Sequence, residues 1–319
     1  MKVGLIGAGT MGSNHARVVS LSQEEELSLV FDIDSDSVAR LLGKYGGQEA
    51  RDLEELTQCE AVVIASPTQL HYEQASLLLE AKIPLLVEKP LSSTLEEVKS
   101  LSDLALRNET VLLCGFVERF NPSVRLAMEL LTEDAIHIMT QRHSPADGRK
   151  LGSVVNDLLI HDIDLALRFL GKRMPILTQG SAWNSSHGQS EIADCILKFE
   201  NESLATLSAS RMGQRKIRTI SILSETNLIE VDLLRADVTV YKNIRQEQPS
   251  DTKSLTYRSE TVIDIPFVRH AGEPLALEHE HFLRLIRGEA DRVEEVESIL
   301  GPHSVADEIQ RQCESSKKI

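Results

Sequence analysis

Cysteine is scarce in this chain and nowhere clustered. Cys59, Cys114, Cys195 and Cys313 lie far apart and form no C-x-x-C pair. That spacing excludes a disulfide framework and a zinc site, and it places the chain in a reducing cytoplasm. No run is long and apolar enough to span a bilayer, so no membrane association is expected. The apolar residues after Met1-Lys2 break at once into glycines, which fits a buried strand better than a signal peptide. Basic tracts are absent as well. With 49 acidic against 34 basic residues and a net charge of −15, the surface would repel a nucleic acid backbone. A small anionic ligand held by a few local arginines stays open. There is no internal repeat and no targeting signal. The 319 residues suffice for two domains of ordinary globular composition.

What is present centres on Asp157 to Leu170, DLLIHDIDLALRFL. Wound as a helix at about 100° per residue, it aligns its polar groups. Asp157, His161, Asp164 and Arg168 fall on a stripe about 60° wide. Apart from Asp162 nearly every other position is apolar, so the helix should be largely buried. Buried carboxylates and imidazoles are costly unless paired or used in chemistry. Taken alone, the stripe reads as a ladder of ion pairs, Asp164 on Arg168 among them. The rest of the chain favours chemistry.

Lys2 to Ile6 reads as a short buried strand, and Ser13 to Leu21 has helical character. Between them Gly7-Ala8-Gly9-Thr10-Met11-Gly12 matches G-x-G-x-x-G in the context that motif requires. Gly7 permits a tight turn, Gly9 lets backbone approach a pyrophosphate, and Gly12 lets helix pack on strand. The helix start supplies N–H groups and a positive dipole end for phosphates. A second strand, Leu27 to Phe31, ends at Asp32, twenty residues past the last glycine. That spacing suits a carboxylate on the adenosine ribose, and an acid there repels a 2′-phosphate, so NAD is expected over NADP. The nearest base, Arg40, is eight residues on.

Strands and helices go on alternating. Ser37 to Tyr45 is helical, then Ala61 to Ala65 is a strand ending at Ser66-Pro67-Thr68, with Thr68 as N-cap of a helix from Leu70 to Ala81. Pro84 to Val87 is a strand ending in Glu88-Lys89-Pro90. Thr94 to Leu106 is helical, and Val111 to Phe116 a strand. This order means a parallel sheet whose ligands sit beyond the carboxyl ends of its strands. Lys89 occupies such an end and is followed by a proline that restricts its backbone. There an ammonium can stabilise an alkoxide beside a nicotinamide as hydride leaves.

Together Gly7 to Gly12, Asp32, Ser66-Pro67-Thr68 with His71, Glu88-Lys89-Pro90 and Asp157-x-x-x-His161-x-x-Asp164 resemble the Gfo/Idh/MocA family of glucose–fructose oxidoreductase, inositol dehydrogenase and rhizopine-catabolism proteins. The resemblance spans almost the whole chain, although the family usually has asparagine at the position of Thr68. It implies a Rossmann domain followed by an open mixed sheet flanked by helices, with a Lys89–Pro90 bond that is commonly cis. It assigns the catalytic set to Lys89, Asp157 and His161, with His161 as acid/base oriented by Asp157 one turn back. Its cofactor set is Gly7, Gly9, Thr10, Met11, Gly12, Asp32, Ser66, Pro67, Thr68, His71, Glu88 and Lys89. The chemistry agrees, since an imidazole titrates near neutrality and can take a hydroxyl proton. A lysine from the nucleotide half and an imidazole from the sheet half are then expected to meet the same carbinol.

A narrower likeness lies in Gly115-Phe116-Val117-Glu118-Arg119-Phe120-Asn121-Pro122, Arg142-x-Ser144-Pro145 and Val155 to Asp164. These stretches resemble the family's UDP-N-acetylglucosamine 3-dehydrogenase branch, which oxidises a sugar C3 hydroxyl to a ketone for an aminotransferase. By that likeness Arg119 and Arg142 clamp a diphosphate, while Glu118 and Asn121 position substrate or nicotinamide beside His161. Ordinary ion pairs are the alternative for both arginines. Rival functions are an inositol or polyol dehydrogenase and a non-catalytic NAD-binding sensor or scaffold.

In the second half Pro122 to Leu131 is helical and Ala135 to Arg142 a strand, with Arg149 and Lys150 in the loop that follows. Strand-like runs then recur without helices from Ile176 to Tyr241 and should pair largely antiparallel, with a hairpin at Asn201-Glu202. Gln246 to Ser259 reads as an irregular loop. Leu275 to Arg287 is helical, and its His279 and His281 do not share a face, so no metal pair is expected. Val296 to Cys313 reads as a last helix, interrupted at Gly301-Pro302 and returning to the first domain. The resulting division is a Rossmann domain over 1–120, an α+β substrate and oligomerisation domain over 121–295, and a C-terminal helix over 296–319. One face of the second sheet should form the interface of a homodimer or homotetramer.

Overall fold

A computed structural model of the protein describes residues 1–146, 152–185, 188–248, 256–268 and 272–315. The chain forms two compact units, one of residues 1–120 with 272–307, the other of 121–271 with 308–319.

In the first unit β1 (Lys2–Ile6), α1 (Thr10–Leu21), β2 (Glu26–Phe31), α2 (Ser35–Tyr45), β3 (Gln48–Glu49), β4 (Ala61–Ile64), α3 (Thr68–Glu80), β5 (Leu85–Glu88), α4 (Leu95–Arg107) and β6 (Leu112–Gly115) alternate. Strands with helices between them must cross over, and all six pair in parallel, in the order β3-β2-β1-β4-β5-β6. Both faces of such a sheet are covered, which is why β4 is buried along its whole length. The helices carry local start signals. Asp34 caps α2 by accepting from Asp36 N–H, and Thr94 with Glu97 forms a reciprocal capping box on α4. Thr68 is not a cap. Pro67 holds the cap position, and Thr68 is the first helical residue.

The second unit begins with α5 (Pro122–Leu130), β7 (His137–His143), a π-helical turn over Val155–Leu159 and α6 (Ile160–Phe169). There follow β8 (Leu177–Asn184), β9 (Ser190–Lys198), β10 (Leu204–Ser210), β11 (Ile217–Leu223), β12 (Asn227–Asp232), β13 (Asp237–Gln248) and β14 (Thr256–Asp264). They pair antiparallel except for β7 with β10, in the order β14-β13-β12-β11-β7-β10-β9-β8. Arg149 and Lys150 lie outside the described residues. The loop expected over Gln246 to Ser259 is instead hairpin at both of its ends, with Gln246 facing Arg258 across β13 and β14, while 249–255 lie outside the described residues.

Two boundaries differ from the sequence reading. Helix α7 (Pro274–Ile286) belongs to the first unit, because Phe282 and Leu285 are buried in one cluster with Val3, Leu5, Leu86 and Leu113. Helix α8 (Arg292–Ser315) starts earlier than expected, runs unbroken through Pro302 and contributes residues to both units. Proline at 302 removes the N–H that the carbonyl four residues back would receive. That carbonyl belongs to Ser298 and accepts instead from Arg119 Nη2 at 3.4 Å, so the helix continues.

Candidate active site

Because all six strands of the first sheet run parallel, their carboxyl ends form one edge. Gly7–Gly12, Asp32, Ser66 and Lys89 all follow strands at that edge. The three glycines meet different demands. Gly7 sits at φ +96, and a Cβ there would lie 2.6 Å from the Ala65 carbonyl. At Gly12 a Cβ would lie 1.8 Å from the Gly7 carbonyl, so the first turn of the helix admits only glycine at this position. A Cβ on Gly9 would meet no protein atom within 4 Å. Its small size serves nothing inside the protein; it keeps space open above the turn. Helix α1 begins there with no side-chain cap and no acid in its first turn, leaving exposed Thr10 and Met11 beside uncapped N–H groups. Asp32 Oδ2 accepts from Ala8 N–H at 2.6 Å and Oδ1 from Asp34 N–H at 2.9 Å, which pins the carboxylate against the glycine turn. An open glycine, orphan amides and a fixed carboxylate are the donor set a dinucleotide needs, and these residues fit one.

The Glu88-Lys89-Pro90 block is held from several sides. The Lys89–Pro90 bond is cis. Glu88 Oε1 lies 2.9 Å from His15 Nε2, and Oε2 accepts from Lys89 N–H at 3.3 Å. Gly115 makes room for it, since a Cβ there would stand 3.1 Å from Glu88 Oε2. Burial raises the Glu88 carboxyl, but the His15 hydrogen bond and the charges of His15 and Lys89 outweigh it and hold the group below its ordinary value. His71, expected among the cofactor residues, is only 1 % exposed. Its ring spans the Ser66 carbonyl (Nε2, 2.8 Å) and the Pro90 carbonyl (Nδ1, 3.1 Å), so it fixes two loops to each other. Ser66 Oγ is likewise engaged, donating to Gln74 Oε1 at 2.6 Å.

His161 begins α6 and is nearly buried. The uninterrupted α-helix expected over Asp157 to Leu170 is corrected, for its first part is the π turn. Ile160 N–H reaches back to the Val155 carbonyl five residues earlier. This extra residue moves Asp157 off the α-helical stripe, and its carboxylate lies 3.6 Å from Arg211 Nη1. Arg211 belongs to no motif and no sequence pattern marks it. Its other arms bond Glu191 Oε2 (3.0 Å), the Gly152 carbonyl (2.7 Å) and the Ser190 carbonyl (3.2 Å), so it braces the turn bearing Asp157. Asp164 and Arg168 form the simple helical pair, at 3.8 Å.

The two arginines read as a diphosphate clamp both form ion pairs, the alternative reading for them. Arg142 grips Asp162 through Nε (3.1 and 3.0 Å) and Nη2 (2.9 Å), with both side chains almost wholly buried. Arg119 bonds Glu295 Oε1 (2.7 Å) and Ser298 Oγ (2.9 Å), and its guanidinium stacks on Phe116 at 4.6 Å. Each cation is thus engaged inside its own unit. Asn121 caps α5 by accepting from Ser123 N–H at 3.0 Å, and Glu118 is buried in the short turn before it. His279 and His281 point apart, the first to His15 and Glu25, the second to Glu295 at 3.0 Å.

Residues 1–116 match the family model of the Gfo/Idh/MocA proteins, described as an oxidoreductase family with an NAD-binding Rossmann fold. The UDP-N-acetylglucosamine 3-dehydrogenase of Acidithiobacillus ferrooxidans is 27% identical over 244 residues, 76% of this chain and 77% of that one. The myo-inositol 2-dehydrogenase of Thermotoga maritima is 27% identical over 229 residues, 66% of this chain and 69% of that one. The solved structure of the Acidithiobacillus enzyme shares the fold with a TM-score of 0.86 at 24% identity, over 99% of this chain and 98% of that one. The fold and the glycine-turn site are those of NAD-binding oxidoreductases. Over residues 1–116 the chain is similar to the Gfo/Idh/MocA family.

Proposed function

We propose that this oxidoreductase is a dehydrogenase of sugar secondary hydroxyls. Its cofactor is NAD rather than NADP, and its substrate is a nucleotide sugar of the UDP-N-acetylglucosamine kind. The observation that carries the reading is the position of Lys89. It follows a strand whose Leu85, Leu86 and Val87 are fully buried, at the sheet edge that also bears the glycine turn and Asp32, and its backbone N–H donates to the Glu88 carboxylate. Bound NAD would supply the hydride acceptor. Gly7 to Gly12 would hold its phosphates and Asp32 its ribose hydroxyls. Lys89 would stabilise the oxygen of the hydroxyl as negative charge develops on it. His161 would take that hydroxyl's proton at an imidazole nitrogen, on a turn that Asp157 and Arg211 brace. The preference for NAD rests on Asp32, and Arg40 is turned to Ser37 (2.7 Å) and Asp34 (3.9 Å).

The nucleotide-sugar substrate rests on likeness to the Acidithiobacillus enzyme, and an aminotransferase acting on the ketone would be its functional partner. An inositol substrate is the second reading, favoured by the Thermotoga relative. Four buried free thiols suit a reducing cytoplasm. The exposed sheet face bearing Met139, Ile196 and Leu204 would make the subunit interface of a dimer or tetramer.

The test is a panel of UDP-sugars, free sugars and inositols, each with NAD and with NADP, followed by nicotinamide absorbance. UDP-N-acetylglucosamine with NAD should give the highest kcat/KM. Preference for an inositol would move the substrate to the second reading. Tight NAD binding with no redox change on any compound would leave a sensor or scaffold.

A further inference from the structure

Four titratable side chains from four elements of the first unit line up in its interior. Glu25 Oε1, from the residue before β2, lies 2.9 Å from His279 Nδ1 on α7. His279 Nε2 lies 2.9 Å from His15 Nδ1 on α1. His15 Nε2 lies 2.9 Å from Glu88 Oε1 at the end of β5. His15 and His279 are at most 1 % exposed, so the two rings are withdrawn from solvent. The reaction proposed above uses neither imidazole.

Counting protons gives the row its meaning. Each of the three short contacts joins two atoms that are both lone-pair bearers unless a proton lies between them. Two neutral imidazoles bring one proton each. With both carboxylates ionised, one contact would therefore set lone pair against lone pair. The row is complete only with one proton beyond that state, which leaves it a net charge of −1. The extra proton has equivalent resting places at both ends. When Glu25 carries it, His279 and His15 are both protonated on Nε2. Transfer from the Glu25 hydroxyl to His279 Nδ1, from His279 Nε2 to His15 Nδ1, and from His15 Nε2 to Glu88 breaks one O–H bond and forms another. Both rings change tautomer and end neutral.

The two ends differ in surroundings. Glu25 and His279 line an open surface pocket of about 390 Å³, together with Glu24, Glu273 and Glu280. Arg17 pairs with Glu273 there at 2.6 Å, and Arg287 with Glu24 at 2.9 Å. At the other end the charge of Lys89 acts on Glu88, and the charge of Glu88 in turn helps to raise the buried Glu278 carboxyl. We propose that Glu25, His279, His15 and Glu88 form a proton relay, which holds one excess proton and passes it between the pocket edge and the carboxylate preceding Lys89. Resting on the dehydrogenase reading above, its use is outward: a proton that hydroxyl oxidation delivers to ionised Glu88 passes by the reverse transfers, from Glu88 to His15 Nε2, from His15 Nδ1 to His279 Nε2 and from His279 Nδ1 to Glu25, which releases it at the pocket.

Histidine-labelled full-length protein, followed by long-range 1H–15N NMR across pH, tests the relay without any substrate. His15 and His279 should titrate as one coupled step. Glu25→Gln should shift the His15 nitrogen signals, although Glu25 touches only His279. Independent titration of the two rings, or His15 signals that ignore Glu25→Gln, would overturn the relay. Should the variant fail to fold, coupled or independent titration in the wild type still decides. With the substrate found by the panel, Glu25→Gln should lower kcat roughly a hundredfold and displace its pH profile while both KM values hold, a loss at the low end for proton transfer. An unchanged kcat and profile would remove the catalytic use and leave the relay itself to the NMR result. If no compound is oxidised, the dehydrogenase reading falls while the NMR arm still stands.

Discussion

Lys89 is a cation on a rigid stalk, since Leu85, Leu86 and Val87 in the strand before it are fully buried. Lys89→Met keeps the stem and removes the charge. Turnover should fall by about a hundredfold or more, the cost of losing one preorganised donor at a developing anion, while NAD affinity measured by titration calorimetry holds. Equal loss of both would make the lysine structural. Glu278 offers a second test at this scale. It is fully buried on α7, and neither carboxyl oxygen has a hydrogen-bond partner. Burial, with the charge of Glu88 added and that of Arg119 opposed, raises its carboxyl well above the ordinary value. The folded chain then keeps a proton that the unfolded chain has lost, so stability falls as pH rises through that window. Glu278→Gln should remove that slope. Thermal unfolding from about pH 5 to about pH 8 should show the wild type losing ground steadily against the variant, and parallel curves would refute it. The glycine turn and the strand ends that carry Asp32 and Lys89 were legible in sequence, because they depend on local backbone and spacing. Glu278 was not, for its burial comes from residues far away in the chain.

Among the elements, the buried helix α6 was legible from its apolar pattern, and its polar residues were not. Asp162 looked like the exception to the pattern, yet it meets Arg142 on β7 in a bidentate buried pair. Arg142→Ala should therefore cost about 3–5 kcal/mol in urea unfolding, because Asp162 is left charged and buried. A loss below about 1 kcal/mol would mean the pair is solvated. Arg119 and α8 teach the same lesson. Gly301-Pro302 reads as a break until a guanidinium from another segment satisfies the carbonyl that the proline orphans. The π turn before α6 is likewise invisible to a 3.6-residue period, since one inserted residue leaves the apolar pattern intact while it re-aims Asp157.

For the whole molecule, the eight-stranded sheet alternates buried and exposed residues along β7 and β9. Its buried face holds Ile138, Ala193, Cys195 and Leu207, with the Cys195 thiol pushed up to about 12 by burial first and by the nearby carboxylates of Asp194 and Asp162 next. Met139, Ile196, Leu204 and Trp183 lie on the other face and are 39–53% exposed. Sedimentation at micromolar concentration should find a dimer or tetramer, and Ile196→Lys should shift it toward monomer. A wild-type monomer would leave that face without a partner subunit.

Period and punctuation carried the sequence reading: alternating strands and helices, a glycine turn, an acid at fixed spacing, and a helix apolar on nearly every side. Those features are local, because backbone geometry and hydrophobic periodicity act over a few residues, and they determined the nucleotide-binding half and the strand-rich second half. Only tertiary structure decided which charges meet. The partners of Arg119, Arg142, Glu88 and His15 lie 20 to 264 positions away, and electrostatics inside a folded chain follows distance in space rather than in sequence.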